Sequence, residues 1–313
     1  MNLPEGIHSG IPEAAYHADP AAEISASSSV LRTLYAQSPL HAWTAHPRLN
    51  PAHKANPGTD AQNAGTILHA LVLGTPAPYR ELAFDSYRTQ TAKDARDAVI
   101  EKGLIPILDC KFAEIAPVAD ALCATLERDF QYQWQALTHP STQREVTLIW
   151  REGAAMCRCR FDALPEPAWG LGIDLKFTGL TAEPEAWSRK LREDYLMSAA
   201  LYPRAVKALR GDAIEYQFIV CETAPPYGVS VHSVAPDLQD IGARRLDKAL
   251  GIWRDCMASG KWPSYPALVH YATAPSWFAA EDDERAVREQ IGKSLPKPGY
   301  NPRSLEDHSF PFA

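Results

Sequence analysis

Two periodicities of apolar residues alternate along the chain and together predict a mixed α/β protein. Helical spacing covers 30–34, 64–73, 92–101, 112–130, 185–209, 238–257 and 281–291, and strand-like runs cover 144–151, 155–162, 173–176, 216–221 and 227–234. Helices predominate before the first strand pair, and strands and helices alternate after it. This order predicts a mixed central sheet flanked by helices, with an N-terminal helical elaboration.

Turn residues and prolines suggest where the chain divides. Residues 1–63 are predicted to form a helical and loop lead-in that packs on the core, with a Pro-rich loop over 44–63. The core is predicted to span 64–270, and its first helix to begin near Gly65. Residues 271–313 are predicted to be a C-terminal extension, partly flexible.

The most informative stretch is a pair of predicted strands over 158–176. Alternation along the first strand places Arg158, Arg160 and Asp162 on one face, and alternation along the second places Asp174 and Lys176 together. If the strands are neighbours, two carboxylates and one ammonium converge. Two carboxylates that close repel each other unless a cation or a proton lies between them. Mg²⁺ suits this role because it prefers carboxylate oxygens.

Each of these residues also has an ordinary structural interpretation. An isolated Asp-x-Lys triplet on a strand is more typical of a surface ion pair. His69 lies in the apolar helix over 64–73, where a core histidine is the more common case and a third metal ligand is the alternative. Glu145 begins the predicted hairpin and fits an exposed strand-end charge and a site residue equally well.

Composition narrows the class of protein. The chain has 313 residues, 46% of them hydrophobic, and a net charge of −7. No apolar run approaches the roughly 18 residues of a membrane span, and the first residues lack the pattern of a secretory signal. A cytoplasmic protein without a membrane partner is therefore predicted. The acidic charge argues against an extended nonspecific coat on DNA but is compatible with a local basic groove.

Six scattered cysteines, without a Cys-x-x-Cys pair, argue against a zinc or iron–sulfur site.

An ordered set of motifs resembles the RecE-type exonucleases, the exodeoxyribonuclease VIII branch of the PD-(D/E)xK nuclease superfamily. In chain order the set comprises Ala15-Tyr16-His17-Ala18-Asp19, Gly65-Thr66-x-x-His69, Arg158-x-Arg160-x-Asp162, Asp174-x-Lys176, Glu222 with Pro225-Pro226-Tyr227, and Trp262-Pro263. The resemblance covers residues 7–270. One position departs from it, because Ser198 stands four residues before Tyr202, where the family usually has Gln.

The resemblance implies a restriction-endonuclease-like core and Mg²⁺-dependent hydrolysis of linear duplex DNA, from the 5′ end, in phage-type recombination. It implies that His69, Asp162, Asp174 and the carbonyl of Leu175 bind the metal, with Mn²⁺ able to substitute. Asp162, Asp174 and Lys176 would be catalytic, and Lys176 would orient or deprotonate the attacking water.

The resemblance further implies substrate contacts and partners. The substrate-binding candidates are Glu145, Arg158, Arg160, Ser198 and Tyr202. Double-stranded DNA ends, a RecT-like single-strand annealing protein and a homo-oligomeric ring are the implied partners. Three alternatives stay open: a nuclease of the same superfamily with another specificity, a catalytically silent module that binds DNA or a protein, and an unrelated structural α/β protein.

Overall fold

The computed structural model describes residues 1–54 and 58–294. The chain divides into two compact units, Met1–Tyr265 and Pro266–Ala313. Among its described residues the second unit contains one helix, Ser276–Ser294, which includes the helix predicted over 281–291. The predicted boundaries at 63/64 and 270/271 stay predictions. The part of the predicted extension beyond 294, and residues 55–57 of the predicted loop, lie outside the described residues.

A six-stranded mixed sheet forms the centre of the first unit and confirms the predicted fold class. Its strands are β1 (Gly6–His8), β4 (Gln143–Glu152), β5 (Ala155–Leu164), β6 (Leu171–Thr178), β7 (Glu215–Glu222) and β8 (Val229–His232); β2 (Tyr79–Leu82) and β3 (Ile105–Leu108) lie outside it. The order across the sheet is β1-β4-β5-β6-β7-β8, and β2 pairs with β3 separately. Within the large sheet, β6 and β7 run parallel and the other neighbouring strands run antiparallel. Strands β4 and β5 form the predicted antiparallel hairpin.

Helices cover both faces of the sheet. The helices of the first unit are α1 (Glu13–His17), α2 (Ser28–Ala36), α3 (Pro39–Ala45), α4 (Asp60–Leu73), α5 (Gln90–Glu101), α6 (Asp109–Asp129), α7 (Gln131–Thr138), α8 (Pro184–Lys190), α9 (Leu196–Arg210) and α10 (Pro236–Ser259). The helix of the second unit is α11 (Ser276–Ser294). Side chains of α2, α9 and α10 form one hydrophobic cluster with the sheet, and those of α4, α6 and α7 form the other. No helix in the described part of the chain is long and apolar enough to cross a membrane.

Helix α4 begins at Asp60, five residues before the predicted start. Thr59 caps it, because the Thr59 hydroxyl accepts from the Gln62 N–H at 3.2 Å and the Gln62 side chain accepts from the Thr59 N–H at 2.8 Å. This reciprocal pair is a capping box, whose Thr-x-x-Gln signature is present in the sequence. The prediction of a loop up to residue 63 was therefore wrong at its end.

Short elements escaped the sequence reasoning. The lead-in contains β1 and α1, and the region between α4 and α6 contains the β2–β3 pair. The strands β1, β2 and β3 have three or four residues and complete at most two alternations, and no longer apolar run surrounds them to indicate a strand.

A buried polar cluster ties the lead-in to β5. Asp19 accepts hydrogen bonds from the Ser25 N–H and hydroxyl at 3.0 and 2.6 Å and forms an ion pair with Arg158 at 3.1 Å. His46 lies 3.6 Å from the Asp19 carboxylate and makes a 3.1 Å hydrogen bond to the Ser25 carbonyl. We call this set of residues the N-terminal latch. It anchors the first 46 residues against the strand that carries Asp162.

Lowering the pH from 7.5 to 5.5 is expected to destabilise the protein through His46. Burial lowers the pKa of this fully buried imidazole. The unfolded chain then takes up a proton near pH 6.5 that the folded chain does not, so this stability is lost as the pH falls below about 6.5. The expected slope is at most about 1.4 kcal/mol per pH unit.

Urea unfolding at three pH values measures this effect. The variant His46→Gln should flatten the dependence, whereas His270→Gln, at an exposed position, should leave it unchanged. The same pH dependence in both variants would contradict the assignment.

Candidate metal centre at the β5–β6 fork

Strands β5 and β6 meet at a fork that positions the candidate site. The backbones of the two strands pair at Ala163 and Ile173. Next to this pair, the backbone N–H of Leu175 donates to the Asp162 side chain and not to a backbone carbonyl of β5. The Asp162 Oδ2 atom accepts the backbone N–H of Leu175 at 2.6 Å. The Asp162 carboxylate is thus fixed between the strands by a backbone donor.

Apolar neighbours hold the fork from both sides of the sheet. Phe161 belongs to the cluster on the α9 side, and Ile173 and Leu175 belong to the cluster on the α4 side. Gly172 leaves room for neighbouring side chains, because a Cβ there would be 2.6 Å from Phe161 Cε1 and 2.8 Å from Ile214 Cδ1. The residues on either side of each carboxylate are therefore packed in the core.

The substitution Gly172→Ala is expected to destabilise the protein by about 1–3 kcal/mol, because the added methyl group overpacks the sheet beside Phe161. Urea unfolding measures the free-energy difference. Gly251→Ala is the matched control: its Cβ would meet open space on α10, so it should be neutral or stabilising by up to about 1 kcal/mol. Equal stability of the Gly172 variant and the unmodified protein would show that the strands separate readily.

Three side chains from three elements converge beside the fork. Candidate ligand atoms of His69 (α4), Glu145 (β4) and Asp162 (β5) all lie within 4.8 Å of one another, with His69 Nδ1 3.5 Å from Asp162 Oδ1. We call this set the carboxylate–histidine trio. Ligands on opposite sides of an ion with bonds of about 2.1 Å are about 4.2 Å apart, so the spacing approaches that of a coordination shell. Two carboxylates and an imidazole fit a divalent cation.

Glu145, the trio member on β4, has an unusual backbone conformation. Its φ is +53°, in the left-handed region that a non-glycine residue rarely adopts, and it lies between the pairs Arg144–Ala163 and Val146–Phe161. Its carboxylate forms an ion pair with Arg160. Such backbone strain concentrates at functional sites. Of the two sequence interpretations of Glu145, the geometry favours the site residue.

Asp174 and Lys176 lie on the neighbouring strand. They form a direct ion pair, and Lys176 Nζ also donates to the Leu175 carbonyl at 3.2 Å. Asp174 is only 7% exposed. The structure therefore brings the predicted carboxylates and ammonium together, with Asp174 and the Leu175 carbonyl engaged by Lys176. That Asp174 and Leu175 bind a metal stays a prediction.

The charges of the site shift its protonation equilibria. Burial acts to raise the pKa of Asp162, but the adjacent His69 and Lys176 outweigh it and hold that pKa below its usual value. Burial raises the pKa of Asp174 against the opposing effect of Lys176. The pKa of Lys176 is raised, because Asp174 and Asp162 outweigh its burial. Lys176 is consequently an ammonium at neutral pH.

The remaining predicted substrate residues lie on β5 and α9. Arg160 donates to the Ile11 carbonyl at 3.0 Å in addition to its pair with Glu145. Arg158 is 3% exposed and belongs to the N-terminal latch. Tyr202 packs its ring against Phe161, and Ser198 is half-buried one turn earlier on α9. Substrate contact by these residues, including Glu145, stays a prediction.

Sequence reasoning missed the position of Tyr195. A π-helical turn, Leu191–Tyr195, joins α8 to α9 and adds one residue to the helix repeat. The Tyr195 ring stacks on Trp187 and lies 5.4 Å from Lys176 Nζ, within the range of a cation–π contact. Regular spacing assigns Tyr195 to core packing, and no pattern in the sequence indicates the extra residue.

An Asp at the end of one strand, an Asp-x-Lys on the adjoining strand and a His on a flanking helix define the PD-(D/E)xK arrangement. A family model described as a "PDDEXK-like domain of unknown function (DUF3799)" matches residues 106–275, more than half of the chain. The chain belongs to this family. The superfamily implied by the sequence motifs is thereby confirmed.

One solved structure has the same fold over most of its length. It is titled "Putative exonuclease" and comes from Eubacterium rectale; the match covers 86% of this chain and 96% of that chain, with a TM-score of 0.53 and 12% identity. At this identity the likeness shows the fold. A search of curated proteins found no significant sequence match.

Proposed function

We propose that this protein is a metal-dependent DNA exonuclease. The observation that carries the proposal is the carboxylate–histidine trio beside the Asp174–Lys176 ion pair, at the fork of a PD-(D/E)xK sheet. The structure from Eubacterium rectale with the same fold is titled as an exonuclease, which supports the same activity.

The ordered motifs support a more specific form of the proposal. We propose linear duplex DNA ends as the substrate, 5′-to-3′ digestion, and a phage-type recombination role with a RecT-like annealing protein. Mg²⁺ is the proposed cofactor, with Mn²⁺ as a substitute, and a homo-oligomeric ring is the proposed assembly. These details rest on the RecE-type resemblance of the sequence.

The residues of the fork have distinct chemical tasks. A divalent cation bound here would acidify a water molecule and neutralise charge on the phosphate. The Leu175 N–H orients the Asp162 carboxylate, and Asp162, His69 and Glu145 would be the side-chain ligands of the cation. Lys176, as an ammonium, donates hydrogen bonds to the charge that develops on the phosphoryl oxygens. Its raised pKa favours this electrostatic task over removal of a proton.

Digestion of uniformly labelled DNA, with a second linear duplex labelled at one 5′ end, tests the proposal. Linear duplex, single-stranded and closed circular DNA should each be incubated with Mg²⁺, with Mn²⁺ and with chelator. We expect the linear duplex to be degraded only with metal, and Asp174→Ala to be inactive. Equal activity of the variant would refute the site, and cleavage of the circle would replace the exonuclease with an endonuclease. Faster digestion of the single strand would assign a single-strand-specific enzyme.

A catalytically silent module is the second candidate function. Ser198 replaces the Gln of the resembled family, and its shorter side chain is half-buried on α9. A protein that binds duplex ends in gel shifts but leaves them intact with either metal would be this module.

A further inference from the structure

A surface formed by α2 and α10 surrounds an exposed aromatic ring with two cations. Tyr35 of α2 is 38% exposed. Arg245 Cζ lies 5.9 Å and Lys248 Nζ 5.7 Å from its ring centroid. The two cations are three residues apart on α10 and therefore share one helix face. We call these three residues the Tyr35 patch.

In the described part of the chain, the cations of the Tyr35 patch have no direct ion pair with a carboxylate. Within 1–54 and 58–294, neither Arg245 nor Lys248 takes part in an ion pair, and the adjacent Arg244 is likewise exposed and unpaired. Asp247, the acidic residue between the two cations, is engaged by Arg204 at 2.6 Å. In a chain with a net charge of −7, this is a local concentration of positive charge.

A short series of contacts connects the Tyr35 patch with the fork. Arg32, one turn before Tyr35 on α2, donates to the Asp194 carbonyl at 2.9 Å. Asp194 precedes Tyr195, whose ring contacts the Lys176 ammonium. The π-helical turn therefore contacts both helix α2, which carries Tyr35, and the Lys176 ammonium of the fork.

We propose that the Tyr35 patch binds single-stranded DNA. An unpaired base would stack on the Tyr35 ring, and Arg245 and Lys248 would move from the ring to the flanking phosphates. Bases inside a duplex are already stacked, so a duplex offers this ring no base. The choice of DNA as the ligand rests on the proposed nuclease function, since an enzyme that consumes one strand of a duplex leaves the other one single-stranded.

Fluorescence anisotropy with a labelled 20-nucleotide oligothymidylate tests the proposal on the full chain, in chelator so that no cleavage occurs. The double variant Arg245→Ala/Lys248→Ala should bind at least tenfold more weakly at 100 mM salt. Its slope of log affinity against log salt should fall by about 1.4, at about 0.7 for each lost phosphate contact. Tyr35→Ala should bind about tenfold more weakly, with an unchanged salt slope, and Tyr35→Phe should bind normally.

Lys93→Ala is the matched control, because Lys93 is an exposed lysine of α5 outside the patch. It should bind as the unmodified protein does. Normal binding by the double variant would overturn the proposal, and so would an equal loss of affinity for a blunt duplex. The nuclease function is tested by a separate experiment, the digestion of labelled duplex with Mg²⁺. Failure of the unmodified protein to cleave this duplex would refute the proposed nuclease function. Unchanged single-strand binding by the patch variants would refute only the proposal that the Tyr35 patch binds single-stranded DNA.

Discussion

The variant Lys176→Met is expected to cleave DNA about 10²- to 10³-fold more slowly while binding a divalent cation at least as tightly as the unmodified protein. Lys176 neutralises Asp174 and donates to the Leu175 carbonyl. Its removal takes a positive charge away from the acidic site, which favours cation binding. The same change removes the ammonium that stabilises charge in the transition state, which slows hydrolysis. Metal binding and catalysis should therefore change in opposite directions.

Two measurements separate these effects. Calorimetric titration with Mn²⁺ or Mg²⁺ gives the affinity, and single-turnover digestion gives the hydrolysis rate. Lys111→Met is the matched control, because Lys111 forms an exposed ion pair with Glu114 on α6 and should change neither quantity by more than about twofold. If Lys176→Met hydrolysed DNA at the normal rate, Lys176 would have no part in the reaction.

The variant Asp162→Asn is expected to lose both metal binding and cleavage by about 100-fold or more, with its fold intact. An asparagine oxygen can still accept the Leu175 N–H, so the fork keeps its hydrogen bond. The variant loses only one of the two negative charges that the trio presents to a cation. Attraction by Asp162 raises the pKa of His69 against the effect of burial, so that pKa should fall in the variant.

Calorimetric metal titration, digestion of labelled duplex and a proton NMR titration of His69 test this variant together. Asp120→Asn, at an exposed position on α6, is the control for the loss of one negative charge and should behave as the unmodified protein does. Unchanged metal affinity in Asp162→Asn would exclude Asp162 as a ligand. An unchanged His69 titration would show that the two side chains are not coupled in solution.

Much of this site was predictable because its signals are local in the sequence. Asp162 precedes a Pro/Gly turn, and Asp174 and Lys176 alternate with the apolar residues Ile173 and Leu175. Period-two alternation decides which face a side chain takes, and the short connection makes the two strands neighbours. His69 was identified by its motif, and the structure shows that its ring approaches Asp162.

Other features depend on contacts between distant parts of the chain. Arg158 shares a strand face with Arg160, but its guanidinium meets Asp19 of the lead-in, which no spacing rule indicates. The left-handed φ of Glu145 also has no signature, because the residue is not glycine and the strand continues on both sides. Tertiary partners decide both cases, so sequence alone leaves the roles of these residues open.

The hydrogen bond from the Leu175 N–H to Asp162 has a consequence for the handling of the protein. Since a peptide N–H already orients this carboxylate, removal of the ion should leave Asp162 in place, and the strands should need no rearrangement before an ion binds again. Removal of the divalent ion with chelator, followed by dialysis against a Mg²⁺ salt, should then restore the full rate of DNA cleavage over repeated cycles. Protein purified without added divalent ions should be folded but inactive until such ions are added.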